Sequence, residues 1–278
     1  MNTAKEINQL DYDTFCFLRD SLHQIAGISL SESKTDLLVG RLRKRIISLN
    51  MKSLSEYGNY LKAVPATHHE WQQFLNCLTT NKTDFFRESE HFRYLIQTFL
   101  PSWQEKSRPI KIWSIPCSTG EEAYTLAMVL DEAQKYKDFD FQISASDIDT
   151  SVLDVAKKGV YKKSRLSEVP EIYHRSAFRF GTDDIKDWVA VKPHLKTKIT
   201  FKRCNLIAPP YPWEHKFDVI FCRNVLIYFS TEVIQQVLSH IYHIANPGAF
   251  LFVGHSESMQ QQTHQWVRIH PSIYQKKD

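Results

Sequence analysis

The sequence predicts an α/β fold, in which a doubly wound sheet carries an inserted small antiparallel β subdomain and is preceded by an all-α helical domain. Over residues 1–80, apolar residues recur every three or four positions, as in packed helices, and strand-like alternation is absent. From Lys111 onward, short apolar runs alternate with amphipathic segments, which is typical of a parallel sheet with helices on both faces. A polar and aromatic segment between Tyr161 and Lys202 interrupts this alternation and predicts the short antiparallel strands.

The amino-terminal region is predicted to be a small helical bundle. Phe15, Leu18 and Leu22 share one helical face, and the same spacing continues in Thr35–Leu49 and Glu70–Leu78. Serines between these segments are suitable helix caps.

The predicted boundaries divide the chain into three parts. Residues 1–80 form the helical domain, residues 81–108 form a linker that also contacts the ligand, and residues 109–278 form the α/β domain, with the β subdomain at about 162–202. The strands predicted for the main sheet are Lys111–Ile115, Phe141–Ala145, Phe217–Cys222 and Phe250–Val253, and the helices are Glu121–Ala133, Ser151–Lys157 and Thr231–Ala245. The inserted strands are placed in Ala177–Phe180, Trp188–Val191 and Lys198–Phe201.

The composition excludes several classes of protein. No run of eighteen uncharged apolar residues occurs, so no membrane insertion is expected, and Met1–Leu10 lacks the apolar core of a signal peptide, which predicts a cytoplasmic location. The five cysteines contain no CxxC pair, which favours reduced thiols over a disulfide framework or a zinc site. A net charge of +4 is too small to indicate nucleic-acid binding, although it permits an acidic protein partner.

The loop Pro116–Gly120 lies between a predicted strand and a predicted helix, where open α/β sheets bind the polar part of a ligand. A phosphate site would require a lysine or several glycines there, whereas this loop has one glycine followed by Glu121 and Glu122. Two carboxylates repel phosphate and suit a cation. At the tip of the next strand, Asp147 can accept both hydroxyls of a ribose. A nucleoside with a positively charged centre and no pyrophosphate matches S-adenosylmethionine.

The segment Thr79–Glu88 joins the two domains and carries a candidate ligand-binding arginine. Arg87 offers a planar fork for a carboxylate, and the adjacent Phe85-Phe86 pair is expected to anchor it. The alternative is a helix cap followed by an ordinary surface arginine.

The segment Asp218–Phe229 is predicted to be a buried strand that ends in a polar pair. Arg223 and Asn224 fall at the carboxyl end of this strand, where such sheets bind ligands, and Tyr228 lies on the turn beyond. The alternative for Tyr228 is an ordinary core position, where its phenol would need a hydrogen-bond partner.

Other motifs have an ordinary explanation that competes with a functional one. Pro209–Pro212 differs from the amine-binding motif of DNA methyltransferases because Ala208 precedes it, so a plain loop is expected. His240 and His243 supply only two ligands on one helix, so no metal is expected. Gly254–Glu257 borders the predicted cleft or forms a simple turn.

A basic face is predicted on one amino-terminal helix. Arg41, Lys44 and Arg45 share this face, while Leu42 and Ile46 turn inward. The face is either solvated or a docking site for an acidic helical partner.

Five segments together are similar, in order and spacing, to the chemotaxis receptor methyltransferases, the CheR family. They are Thr79–Glu88, Trp113–Ala127, Ser146–Asp149, Phe217–Phe229 and Gly254–Glu257. The resemblance covers nearly the whole chain and implies a Rossmann-like methyltransferase sheet. It also implies an S-adenosylmethionine-dependent O-methyltransferase that esterifies glutamate side chains on the cytoplasmic helices of chemoreceptors and releases S-adenosylhomocysteine.

The resemblance also implies which residues would act. The implied cofactor contacts are Asn81, Thr83, Arg87, Glu122, Asp147, Asn205, Leu206, Arg223 and Asn224. Arg87 and Tyr228 would also face the substrate carboxylate. Of the two adjacent acids, Glu122 is a better candidate than Glu121 for the cationic end of the cofactor.

The sequence departs from the family at two places. Pro116 stands where members usually have a small residue, so the backbone of the cofactor loop is expected to differ slightly. Gly181–Trp188 is less glycine-rich than the loop of members that tether to a receptor's carboxy-terminal pentapeptide, so dependence on such a tether is not expected. Two alternatives stay open at this point: methylation of RNA or a small molecule, and a non-catalytic cofactor-sensing adaptor that docks on receptors.

Overall fold

A computed structural model of the chain describes residues 10–104, 107–257, 259 and 265–277. The segment considered as a signal peptide lies outside these residues, apart from Leu10. Within the described ranges, no helix is both long enough and apolar enough to cross a membrane.

The amino-terminal region is helical, as predicted. Its helices are α1 (Tyr12–Ala26), α2 (Thr35–Ser48), α3 (Leu54–Ala63) and α4 (His69–Leu78). The Asp11 side chain caps α1 by accepting the Thr14 amide at 2.8 Å, and Gly27 ends this helix with a φ of 72°. Leu18, Leu42 and Phe74, which are fully buried, belong to one core that all four helices share.

The rest of the chain alternates strands and helices. The strands are β1 (Ile110–Ser114), β2 (Phe141–Asp147), β3 (Val160–Lys162), β4 (Phe178–Phe180), β5 (Trp188–Val191), β6 (Ile199–Arg203), β7 (Phe217–Phe221), β8 (Ala245–Phe252), β9 (Trp266–His270) and β10 (Ile273–Lys276). The helices are α5 (Glu90–Tyr94), α6 (Leu100–Ser102), α7 (Glu121–Ala133), α8 (Thr150–Lys158), α9 (Glu171–Ala177), α10 (Pro193–Lys196) and α11 (Thr231–Ile244), and a π-helical turn, Leu95–Phe99, joins α5 to α6.

The main sheet has the strand order β6-β2-β1-β7-β8-β10-β9. The first five strands are parallel to one another, β10 pairs antiparallel with β8, and β9 pairs antiparallel with β10. Alternate residues of β1 enter different cores, because Ile112 packs in the cluster that contains α7 whereas Trp113 packs in the cluster that contains α11. Helices therefore cover both faces, which confirms the doubly wound sheet.

The inserted β subdomain is a three-stranded antiparallel sheet in the order β3-β5-β4. Its predicted composition is wrong in one strand: the third member is β3 (Val160–Lys162), which was not among the predicted strands, and not Lys198–Phe201. Lys198–Phe201 does not belong to it, because this segment lies in β6 and pairs in parallel with β2, with Ile199 opposite Ile143. Alternation along a single strand has the same period in parallel and antiparallel sheets, so the sequence pattern could not tell the two apart.

The order of the strands creates a crevice at one edge of the sheet. From β1 the chain passes to β2 on one side, whereas β7 pairs with the other side of β1. In open α/β sheets, a ligand binds outside the carboxyl ends of the strands at such a switch point. The ends of β1, β2 and β7 therefore define where the functional site is to be sought.

Candidate active site

A cleft at this switch point brings together every side chain that the resemblance assigns to cofactor and substrate. Its lining includes Asn81, Thr83, Arg87, Glu122, Asp147, Asn205, Leu206, Arg223, Asn224 and Tyr228. The helical domain contributes residues from α1 and α2, among them Ala26 and Arg41. The cleft therefore lies between the two domains.

The loop between β1 and α7 depends on Gly120. This residue has a φ of 98°, and a Cβ there would lie 2.9 Å from the Ala156 Cβ, so only glycine fits. The Ser118 amide donates to Asp147 Oδ2 at 2.8 Å, and the Ser118 hydroxyl donates to the Asn81 carbonyl at 2.9 Å. These bonds hold the loop against both β2 and the linker.

Asp147 ends β2 with its side chain in the cleft. Only 3% of the residue is exposed, and burial raises its pKa to about 6. Its Oδ2 accepts the Ser118 amide, and its Oδ1 accepts the Asp149 amide at 2.9 Å. A carboxylate has about four lone-pair sites, so these two bonds leave acceptor capacity for hydroxyl groups of a ligand.

Asp149 is a structural residue of the site for which sequence reasoning assigned no role. Its Oδ2 accepts the Thr79 hydroxyl and the Asn81 side-chain amide, both at 2.7 Å, while its Oδ1 accepts the Ser151 backbone amide at the start of α8. An aspartate just before a helix is a recognisable cap, but partners about seventy residues away are not readable from local spacing. Asp149 thus holds the linker on the α/β domain.

A buried arginine connects two acids at the centre of the cleft. Arg223 Nη1 lies 3.0 Å from Glu122 Oε2, and its Nη2 lies 3.0 Å from Glu88 Oε2. The same Nη2 donates to the Arg87 carbonyl at 2.7 Å, and Glu122 Oε1 accepts the Ser114 hydroxyl at 2.6 Å. The end of β1, the end of β7 and the linker are therefore joined through one guanidinium.

The charges of this cluster are not balanced. Burial raises the pKa of Glu122, although the adjacent Arg223 opposes the shift. Burial would also raise the pKa of Glu88, but the charge of Arg223 and the hydrogen bonds from Asn224 and Arg223 outweigh it, so that pKa is lowered. Two carboxylates face one guanidinium, which favours a cationic ligand group at this place.

Glu121 differs from Glu122 in its partners. Its carboxylate binds Arg165 and the Thr119 hydroxyl, both at 2.6 Å, and it is not part of the cleft lining. Its neighbour Glu122 lines the cleft. The structure thus places the favoured acid of the pair where a ligand can reach it.

Glu257 shapes the loop after β7. Its carboxylate accepts the amides of Asn224 at 2.7 Å, Leu226 at 2.7 Å and Gly254 at 2.6 Å. Asn224 has a φ of 59°. A Cβ on Gly254 would lie 2.4 Å from the Nδ2 of Asn224, so a side chain at position 254 would clash with it. Sequence reasoning leaves Gly254–Glu257 as either a border of the cleft or a simple turn, and it does not identify this bracing role.

The backbone around Arg87 is held in an unusual conformation. Phe86 and Glu88 on either side have φ values of 56° and 55°, a region that costs a non-glycine residue about 1–3 kcal/mol. The Phe86 amide donates to the Thr125 hydroxyl at 3.1 Å, and Arg87 Nη1 donates to the Lys82 carbonyl at 2.8 Å. The anchored, half-buried Arg87 directs its guanidinium to the cleft that it lines.

Tyr228 lies in the turn that follows β7. Its carbonyl accepts the Ser29 amide at 2.8 Å, so the turn is attached to the helical domain. Among the residues that the structure describes, its hydroxyl has no hydrogen-bond partner. The phenol is therefore available to a ligand.

The predicted basic face is wrong as a free surface. Arg45 binds Glu70 through two hydrogen bonds, one of them 2.9 Å from Nε to Oε1, and Glu70 is fully buried. Arg41 donates to the Leu78 carbonyl and, at 2.7 Å, to the Thr80 hydroxyl. Helical spacing placed these side chains on one face correctly, but it could not show that α4 and the linker pack against that face. Of these three side chains, only that of Lys44 is exposed.

The geometry fits S-adenosylmethionine better than a nucleotide phosphate. The loop before α7 has no lysine. Glu122 in the first turn of α7 accepts from Ser114 at the end of β1, and Asp147 at the end of β2 keeps unfilled acceptor sites. Asn205 lies beyond β6, where its side-chain amide donates to the Ile25 carbonyl of α1 at 2.7 Å, and it brings the helical domain to the same cleft.

Comparison with known proteins agrees with this arrangement. A family model described as "CheR methyltransferase, all-alpha domain" matches residues 13–79, and one described as "CheR methyltransferase, SAM binding domain" matches residues 81–274. Chemotaxis protein methyltransferase 2 of Pseudomonas aeruginosa is 37% identical over 262 residues, which is 94% of this chain and 92% of the relative. The chemotaxis protein methyltransferase of Escherichia coli is 35% identical and covers 91% of this chain and 87% of its own. Chemotaxis protein methyltransferase 1 of Vibrio cholerae is 34% identical, over 99% of both chains. The chain therefore belongs to the CheR methyltransferase family, whose cofactor is S-adenosylmethionine.

Proposed function

We propose that this chain methylates glutamate side chains on the cytoplasmic helices of chemoreceptors and forms glutamate methyl esters in chemotactic adaptation. The observation that carries the proposal is that Arg87 and Tyr228 line the same cleft as Glu122 and Asp147. Two hydrogen-bond donors suited to a carboxylate thus lie next to acids suited to the cofactor. The names of the relatives connect this chemistry to chemotaxis.

The proposed reaction needs no general base. A glutamate side chain has an ordinary pKa of about 4.3, so at neutral pH it is already the nucleophilic carboxylate. S-adenosylmethionine supplies an electrophilic methyl group, and the carbon–sulfur electron pair leaves with S-adenosylhomocysteine. What the protein must do is hold one carboxylate oxygen in line, which can contribute about 7–11 kcal/mol.

Arg87 and Tyr228 are proposed as the groups that orient the acceptor carboxylate. The guanidinium provides a charged hydrogen bond and the phenol a neutral one, so the substrate is held without strongly reducing the nucleophilicity of the attacking oxygen. Neither residue has to exchange a proton with the substrate.

The remaining lining residues are proposed to hold the cofactor. Asp147 would accept the ribose hydroxyls, and Glu122 would face the cationic end of the cofactor. The other proposed contacts are Asn81, Thr83, Arg87, Asn205, Leu206, Arg223 and Asn224.

We also propose that receptor methylation by this chain does not depend on a carboxy-terminal pentapeptide. The loop between β4 and β5 is compact, since the Gly181 amide donates to the Trp188 carbonyl at 2.9 Å and Asp183–Ile185 forms a short 3₁₀ turn. Equal affinity for receptors with and without their last five residues would support this proposal. A large loss of affinity on truncation would contradict it.

Transfer of labelled methyl groups to receptor tests the roles of Arg87 and Tyr228. Loss of a charged hydrogen bond should lower kcat/KM of Arg87→Ala about 13- to 160-fold, and loss of a neutral one should lower that of Tyr228→Phe about 2- to 13-fold. The controls are Arg43→Ala on the exposed side of α2 and Tyr136→Phe, whose residue is 84% exposed, and both should behave like the wild type. Methyl transfer that is unaffected in Arg87→Ala and Tyr228→Phe would remove both from the reaction. Receptor binding without any transfer by the wild type would favour the adaptor.

A further inference from the structure

A group of three metal-ligating side chains lies beside the cleft and is not used by the proposed reaction. Glu88, His91 and His255 come from the linker, α5 and the loop after β8, and their ligand atoms all lie within 4.8 Å of one another. Glu88 Oε2 is 3.6 Å from His91 Nδ1 and 3.9 Å from His255 Nε2. Sequence spacing gave no sign of this group, because His255 is more than 160 positions from the other two.

His91 is the unusual member. It is 2% exposed, and within the described part of the chain its Nδ1 has no hydrogen-bond partner. A buried polar atom without a partner is costly, which points to a missing ligand.

The Ser272 hydroxyl contacts both the Pro271 carbonyl, at 2.6 Å, and His91 Nε2, at 2.7 Å. When this hydroxyl donates its one proton to the carbonyl, it accepts from Nε2, and the imidazole then carries its proton on Nε2. In that tautomer Nδ1 has a free lone pair, 3.6 Å from Glu88 Oε2. A cation between these two atoms would give Nδ1 the partner that it lacks. Metal-bound histidines are typically held by a hydrogen bond of this kind on the other ring nitrogen.

We propose that Glu88, His91 and His255 bind a divalent transition-metal ion of the zinc type beside the cofactor cleft. Two imidazoles and one carboxylate, with water as the fourth ligand, form a common zinc donor set. Tetrahedral bonds of about 2.0–2.2 Å require ligand atoms about 3.3–3.6 Å apart. The contacts to Glu88 are already close to this spacing, and the His255 side chain, which is 52% exposed, can move the remaining distance.

The ion would have to share Glu88 with the cleft. Arg223 Nη2 lies 3.0 Å from the same Oε2, while Oε1 accepts the Asn224 side-chain amide at 3.2 Å. The ion and Arg223 therefore compete for the same carboxylate oxygen, which lowers the affinity for the ion. We expect affinity in the micromolar range instead of the tighter range of structural zinc sites.

Calorimetric titration of the chelator-treated full-length chain with zinc chloride tests the site. One ion should bind per chain. His255→Ala should weaken binding at least about 100-fold, because it removes one of the three protein ligands. Since this side chain is largely exposed, the change should leave the fold intact. Ser272→Ala should weaken zinc binding about 10- to 100-fold, because it removes the hydroxyl that contacts His91 Nε2 and orients the imidazole. His243→Ala, which removes an exposed histidine of α11, should bind zinc as the wild type does.

Cobalt spectra distinguish this site from binding by the five cysteines. Bound cobalt should show ligand-field bands of nitrogen and oxygen ligands without a thiolate charge-transfer band. Equal zinc affinity of the wild type and His255→Ala would overturn the proposal, as would a thiolate band or the absence of one-to-one binding. Circular dichroism of each variant verifies that a loss of binding is not a loss of folding.

Discussion

Replacing Arg223 by methionine tests whether one guanidinium holds the cleft together. The Arg223 side chain is 2% exposed, and its partners Glu122 and Glu88 are 12% and 14% exposed. Removing one member of a buried ion pair leaves an uncompensated charge and costs about 3–5 kcal/mol. Here a single change leaves two carboxylates without their cation, so the upper part of that range is expected. This is a large fraction of the roughly 5–15 kcal/mol that stabilises a domain.

The matched control is Arg93→Met. Arg93 pairs with Glu90 at 2.7 Å, but the two side chains are 55% and 58% exposed, so the change should cost less than about 1 kcal/mol. Urea unfolding followed by circular dichroism gives both free energies at neutral pH. Equal losses for Arg223→Met and Arg93→Met would refute the role given to the buried network.

The pH dependence of the Arg223→Met effect follows from its acids. Without Arg223, the native pKa values of Glu122 and Glu88 rise above those of the unfolded chain. The native state then binds more protons than the unfolded state between the two sets of values, so its stability increases as the pH falls through this window. The difference between Arg223→Met and the wild type should therefore shrink from pH 7 towards about pH 5. A difference that stays constant would mean that lost packing, and not charge, causes the destabilisation.

Further predictions concern the cofactor loop and its ribose acid. Asp147→Asn should weaken S-adenosylmethionine binding by about 1.5–3 kcal/mol in a calorimetric titration, while the exposed Asp140→Asn should not. Affinity of the wild type should fall as the pH falls through about 6, where Asp147 takes up a proton, and a flat profile would contradict its role. Gly120→Ala should lower the melting temperature, because its Cβ would lie 2.9 Å from that of Ala156 in a left-handed backbone. Gly40→Ala should raise it, because Gly40 has a helical position in α2 and no atom of the described residues lies within 4 Å of the added carbon.

Much of the fold follows from local patterns. The strand–loop–helix unit around Gly120 and the helical face of Leu18 and Leu22 follow from spacing, because period and turn chemistry are properties of neighbouring residues. The β9–β10 hairpin was not predicted. Strand β10 pairs antiparallel with β8 because the edge of β8 is not paired with an earlier strand. Which edge stays unpaired depends on the order of all the strands, and local sequence does not show that order.

The site could be predicted only partly for the same reason. Asp147, Arg223 and Asn224 stand at strand ends, where topology alone brings side chains together. The partners of Arg45 and the bracing by Glu257 depend on contacts between distant segments, and no local period encodes them.

Mapping of the transferred methyl group tests the central claim most directly. Receptor incubated with this chain and S-adenosylmethionine should carry methyl groups on glutamate side chains by mass spectrometry, and mild base should release them as expected for esters. A receptor in which those glutamates are replaced by alanine should receive none. Methyl groups that resist base, or that appear on nucleic acid, a small molecule or another type of side chain, would contradict the account.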